Sequence, residues 1–127
     1  MTAWTDDELS RIGAAEELNL ASLRSDGALR KPVIIWVVRL ENDLYVRAVN
    51  GRTASWFRGV QTQHQGHIRA GGIEKDVDFM EVGTTNEMND RLDAVYGAKY
   101  SRYPKSYIDS ITSGKARSAT IKLVPRE

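Results

Sequence analysis

The sequence predicts a mainly β fold with helices, a six-stranded antiparallel barrel with flanking helical segments, and three observations carry that expectation. First, the run Pro32-Val33-Ile34-Ile35-Trp36-Val37-Val38 is apolar without a break and rich in β-branched residues, the pattern of a strand covered on both faces. Second, Glu41-Asn42-Asp43 and Gly71-Gly72 stand between strand-like stretches at hairpin spacing, because Asn, Asp and Gly accept the backbone that tight turns require. Third, all six strand-like stretches are short, and closing them into a barrel removes the edges they would otherwise expose. A length of 127 residues suits one domain spanning 1–127.

Taken in order, Thr5 and Glu8 form a capping-box pair, and Asp6 and Asp7 stand where a helix dipole favours negative charge. A helix from Asp6 to Glu17 follows, with a thin apolar stripe of Leu9 and Ile12 suited to lying on a sheet. Leu18 to Arg24 is the first strand, Ser25-Asp26-Gly27 a turn, and Pro32 to Leu40 the central strand. Leu44 to Val49 returns. Asn50-Gly51-Arg52-Thr53 then delivers the chain to a helix from Thr53 to Thr62. His67 to Ala70 and Ile73 to Val82 form a hairpin whose second strand is half exposed, its charged start near a rim. Met88, Leu92, Val95 and Tyr96 recur at helical spacing in Asn86 to Tyr100, with Thr84 or Thr85 as cap. Ser106 to Ser113 is a shorter helix ended by Gly114, and Ser118 to Val124 alternates as a last strand that Pro125 stops. The helices are expected to fill the barrel mouths.

A formal net charge of +1 gives no overall field for holding a polyanion, so any basic function is local. The absence of cysteine excludes disulfides, thiolate catalysis and Cys-based metal sites. An acidic N-terminal segment and the lack of any apolar run near the roughly 18 residues of a span predict a cytoplasmic protein without membrane or nucleic-acid partners. His64 and His67 are separated by Gln65-Gly66, which breaks a helix, and in a strand they point to opposite faces, so no metal site is expected. No paired carboxylates, nucleophile elbow or phosphate-loop lysine is visible, and no catalytic residue is assigned.

The strongest local signal is Gly51-Arg52-Thr53, where a glycine turn meets a helix start. Exposed amides and the macrodipole favour an anion there, and a guanidinium adds charge-assisted bonds; the alternative is an ordinary turn with a solvated Arg52. Trp36 and Trp56 offer flat faces for a ring or, alternatively, core packing. Four of the five tyrosines, Tyr96, Tyr100, Tyr103 and Tyr107, fall within twelve residues. They form either an aromatic seam between helices and barrel or, through Tyr100 and Tyr103 together with Trp36, a substrate-binding wall.

The Asp26-Gly27 turn, the strand Arg30-Lys31-Pro32-Val33-Ile34-Ile35-Trp36, the return Leu44-Tyr45-Val46-Arg47 and the Gly51-Arg52-Thr53 helix start resemble the flavin-binding split-barrel superfamily. That superfamily includes pyridoxamine-phosphate-oxidase-like and deazaflavin-dependent nitroreductase-like proteins. Trp56-Phe57-Arg58-Gly59, Ile68-Arg69-Ala70-Gly71-Gly72 and Ala98-Lys99-Tyr100 are similar to a small bacterial family of unknown function within it. The resemblance implies a split β-barrel, a homodimer, and FMN or a deazaflavin in the interface groove serving hydride transfer to a small molecule. By position it implies cofactor binding by Arg30, Lys31, Arg47, Gly51, Arg52, Thr53 and Trp56. A non-catalytic small-ligand module or interaction subunit on the same fold is the alternative.

Overall fold

The computed structural model describes residues 3–82 and 86–126. Among them, six antiparallel strands close into a barrel: β1 (Glu17–Ser22), β2 (Val33–Leu40), β3 (Asp43–Arg47), β4 (Gln65–Ala70), β5 (Ile73–Glu81) and β6 (Thr120–Pro125). The order around the barrel is β1-β2-β3-β6-β5-β4, closed by pairing of β4 with β1. β1, β2 and β3 pair in sequence order as a meander, and β6 returns from the far end of the chain to fill the gap between β3 and β5. The six-stranded antiparallel barrel with flanking helices read from the sequence is the observed architecture.

Alternation along β2 builds two apolar layers. Val33, Ile35 and Val37 face the barrel interior, where Leu18, Leu20, Leu44, Val46, Ile68, Val77, Phe79, Ile121 and Leu123 meet. Helix α1 (Asp6–Ala14) adds Leu9 and Ile12 at the β4–β5 hairpin end, and α2 (Ser55–Gln63) adds Phe57 and Val60 at the end where β4 begins. Thr5 and Glu8 make the capping box, with Glu8 N–H donating to Thr5 Oγ1 at 3.1 Å. At the α1 end, Gly71 has φ +58°, and a Cβ there would lie 2.4 Å from the Arg11 carbonyl oxygen, so the hairpin turn admits no side chain.

The outer face of β2 carries Trp36 and Val38 into a second layer with Tyr45, Leu92, Tyr96, Tyr100 and Ile111. This layer lies under α3 (Asn86–Lys99) and α4 (Lys105–Ile111). The tyrosine seam between helices and barrel is therefore real: Trp36 stacks on Tyr100 at 4.0 Å and 3°.

Several boundaries differ from expectation for identifiable reasons. β2 is not covered on both faces along its length, since Ile34 is 62% exposed: α3 covers only its later half. Helix α1 stops at Ala14, because Ala15 is extended. Gly51–Thr53 forms a separate 3₁₀ turn, and α2 begins only at Ser55. Gly114 opens α5 (Gly114–Arg117) instead of ending α4, with Ser113 Oγ accepting from the Ala116 amide at 3.2 Å. The cap assigned to Thr84 or Thr85 lies outside the described residues. No helix among the described residues is long and apolar enough to cross a membrane.

Candidate functional site

The uncovered start of β2 leaves a groove of about 730 Å³. Its walls come from Val33 to Trp36 of β2, Val49 and Asn50 after β3, Ala54 to Trp56 at the start of α2, and Tyr103, Tyr107, Ser110 and Ile111 around α4, with Glu17 of β1 at one side. That is an ordinary size and an apolar, aromatic character for a small-molecule site. Trp36, Trp56 and Tyr103 are thus brought to one groove. Tyr100 is behind it: its side chain is buried beneath Trp36, and its hydroxyl lies 2.7 Å from the Glu16 carbonyl and accepts from the Val37 amide at 3.1 Å.

The start of α2 opens onto this groove without a side-chain cap, because Ala54 has no acceptor to offer. Arg58 N–H is the first to bond within the helix, to the Ala54 carbonyl at 3.0 Å, which leaves the amides of Ser55, Trp56 and Phe57 uncapped among the described residues. Arg30 reaches the same helix. Its Nε would lie 3.1 Å from a Cβ on Gly59, one turn beyond Ser55, so the close approach depends on glycine. Arg30 and Lys31 are exposed and enter no ion pair among the described residues, and neither lines the groove.

Arg47 is not a rim charge. Its side chain is fully buried and all three guanidinium nitrogens are occupied: Nε donates to Thr120 Oγ1 at 3.1 Å, Nη1 to Asp93 Oδ1 at 2.5 Å and to the Ile111 carbonyl at 3.1 Å, and Nη2 to the Asn89 carbonyl and Oδ1 at 3.2 and 3.1 Å. Glu41 and Asp43, acids near Arg47 in the sequence, pair instead with Arg91 and Lys122. Arg52 donates to Glu81 Oε1 at 2.9 Å and to the Ser118 carbonyl at 3.0 Å, with Cζ 5.3 Å from the Phe57 ring centre. Gly51, with φ +79°, packs on Lys115, and Thr53 Oγ1 donates weakly to the Asn50 carbonyl at 3.5 Å. The Gly51-Arg52-Thr53 turn therefore faces α5 and β5, and none of its three residues lines the groove.

Sequence reasoning missed Asp93, Asn89 and Glu17, and named Tyr107 only within the tyrosine cluster. Asn89 and Asp93 stand four apart on α3, a polar pair on one helix face that was legible as a receptor for a buried cation. Glu17 required the β1–β2 register, which places it opposite Trp36.

Burial raises the Tyr96 hydroxyl far above its usual range; no hydrogen-bond partner meets its oxygen among the described residues. Burial also pulls Lys99 down to about 8, while its Nζ donates to the Ala15 and Val37 carbonyls at 2.5 and 2.6 Å. Away from the groove, His67 sits 2.9 Å from Asp76 Oδ1 and 3.2 Å from Glu74 Oε1. Among the described residues no group of His, Asp and Glu is placed to hold a metal.

Two outcomes follow. Asp93→Ala strands a buried guanidinium and is expected to lower unfolding free energy by about 3 kcal/mol in urea denaturation; an unchanged midpoint would show that the pair does not anchor the helices. The Asp76 carboxylate, followed by Glu74, raises the His67 pKa above the usual 6.5. The associated stability is fully present below pH 6.5 and is lost as pH rises through the raised folded value. Imidazole resonances in an NMR titration should show that elevation and lose most of it in Asp76→Asn.

No curated protein matches the chain in sequence. Solved structures share its fold. The haem storage protein HutZ of Vibrio cholerae superposes with a TM-score of 0.70 at 15% identity, covering 96% of this chain and 90% of that one. An F420-H2 dependent reductase gives 0.60 at 14% identity over 86% and 93%. A FAD-binding protein of Mesorhizobium loti gives 0.60 at 11% identity over 98% and 92%. At these identities the likeness is one of fold, the six-stranded split β-barrel. Residues 8–123 match the family described as "Uncharacterized protein conserved in bacteria (DUF2255)", and the chain belongs to that family.

Proposed function

We propose that the groove binds a flavin or deazaflavin, FMN or an F420-type ring, and that the protein is an oxidoreductase of the split-barrel kind acting on a small molecule. The observation that carries this reading is the conjunction of flat aromatic walls, Trp36, Trp56 and Tyr103, with an uncapped helix start in a single groove. A ring system gains stacking area on the walls, and a phosphate finds three amide donors and a favourable dipole at α2. Arg30 and Lys31 are the cations left to assist, since Arg47 and Arg52 already serve carboxylates of the protein. When bound, such a ring supplies hydride chemistry, while the chain's own residues bind and orient it. Arg47 then shapes the groove floor and Trp56 walls the α2 end. Relatives in fold that bind FAD or use reduced F420 lend support at the level of architecture. Exposed Ile34, Val49 and Tyr107 at the groove margin suit burial against a second copy, the homodimer this reading carries with it.

The engagement of both arginines favours one other reading, a small-ligand-binding module without turnover. Titration of the purified protein with FMN and with an F420-type deazaflavin in phosphate-free buffer separates them. Cofactor binding followed by reduction of the bound ring supports the enzyme, and binding without turnover supports the module. Indifference to both rings contradicts the flavoprotein reading. Arg30→Ala should weaken FMN by about 1.5 to 3 kcal/mol, the worth of a charge-assisted bond, whereas Arg52→Ala should change affinity by less than about 0.5 kcal/mol.

A further inference from the structure

We infer that Lys99 is a nucleophilic amine that captures a small aldehyde or 2-oxo acid bearing an anionic group as an imine, with Arg39 holding the anion. Neither residue lines the groove, so this second site is independent of what the groove binds.

Lys99 and Arg39 share a shallow hollow of about 520 Å³ between α1 and α3, lined otherwise by Gly13, Ala94, Val95 and Ala98. Lys99 ends α3, and its Nζ donates to the Ala15 carbonyl at 2.5 Å and to the Val37 carbonyl at 2.6 Å, 5.0 Å from the Tyr100 ring centre. Among the described residues no carboxylate pairs with it; Glu16, beside its Ala15 partner, is taken by Arg102 and the Tyr103 hydroxyl. A neutral amine has two N–H groups, which these two carbonyls satisfy, and it keeps a lone pair. An ammonium carries a third N–H, for which no protein acceptor stands among the described residues. Burial acts in the same direction by holding the amine near 8, so about a tenth of Lys99 is unprotonated at pH 7, against roughly 0.03% of an ordinary exposed lysine.

A desolvated lysine beside a second cation is the arrangement that turns an amine into a carbonyl nucleophile. Arg39 is that second cation. Its stem lies against α1 at Gly13, where a Cβ would come within 3.1 Å of Arg39 Cβ. Its Nε donates to the Glu41 carbonyl at 2.8 Å, and its two terminal nitrogens have no protein partner among the described residues. That free guanidinium edge, in a hollow whose other walls are uncharged, suits a carboxylate or phosphate. Nζ then adds to the carbonyl carbon, both amine hydrogens leave with the carbonyl oxygen as water, and C=N replaces C=O with no oxidation or reduction. The protonated imine keeps one N–H for the Ala15 carbonyl, while the Tyr100 hydroxyl, 2.9 Å from the Val37 carbonyl, serves that acceptor.

The test treats the full chain at pH 7 with glyoxylate and cyanoborohydride, which reduces the imine to a stable secondary amine, and maps the labelled lysines by peptide mass spectrometry. Propanal is the uncharged comparison. Lys99 should label at least about tenfold faster than Lys31 and Lys115, which are exposed. Relative to their rates at Lys31, glyoxylate should outpace propanal at Lys99 by about tenfold, and Arg39→Gln should abolish that preference while propanal still labels Lys99. The map of the unmutated chain decides the nucleophile without depending on whether any variant folds. Labelling of Lys99 no faster than Lys31 overturns the site, as does an undiminished glyoxylate preference in Arg39→Gln.

Discussion

The buried guanidinium of Arg47 constrains everything on the outer side of the barrel. A desolvated charge without partners costs several kcal/mol, so the chain must bring acceptors to it. It does so from four directions: Thr120 on the neighbouring strand, Asn89 and Asp93 on α3, and the carbonyl of Ile111 at the end of α4. Those bonds fix α3 and α4 against β3, bring the Tyr96 ring to within 5.3 Å of the guanidinium, and set the depth of the groove floor. Asp93 is 25% exposed and is also approached by Arg117 at 3.5 Å, so the knot reaches the surface only through its acid.

The groove is a consequence of what that anchored layer leaves bare. α3 and α4 cover Trp36 and Val38 but not Ile34, so the outer face of β2 begins in the open and ends in the second core. After the 3₁₀ turn at Gly51, α2 begins at the edge of the open part, with Ala54, Ser55 and Trp56 lining it, while Arg52 is drawn aside by Glu81. One strand thus contributes the barrel interior on one face and both a helical seam and a groove wall on the other.

Much of the fold was legible because it follows from local chemistry. The capping box at Thr5, the β-branched run of β2, the turn residues at Glu41-Asn42-Asp43 and the helical spacing of Met88, Leu92, Val95 and Tyr96 in α3 each announce an element without tertiary information. The site was legible only in part. Trp36, Trp56 and Tyr103 do converge, as flat exposed-edge aromatics on neighbouring elements can. The arginines were read as ligand groups because a sequence shows charge but not its counter-charge; the acids that take them, Asp93 and Glu81, lie 46 and 29 residues away. Glu17 escaped for the same reason, since its neighbour across the sheet is set by register.

The central claim is that α2's uncapped amides and the aromatic walls receive the ligand while Arg47 stays with Asp93. The most direct measurement is amide, indole and guanidinium chemical-shift mapping of isotope-labelled protein during addition of FMN. The account predicts shifts at the Ser55, Trp56 and Phe57 amides and at the Trp36 and Trp56 indoles, with the Arg47 Nε resonance unmoved. Release of Arg47 from Asp93, or shifts centred on Arg52 with the groove silent, would contradict it.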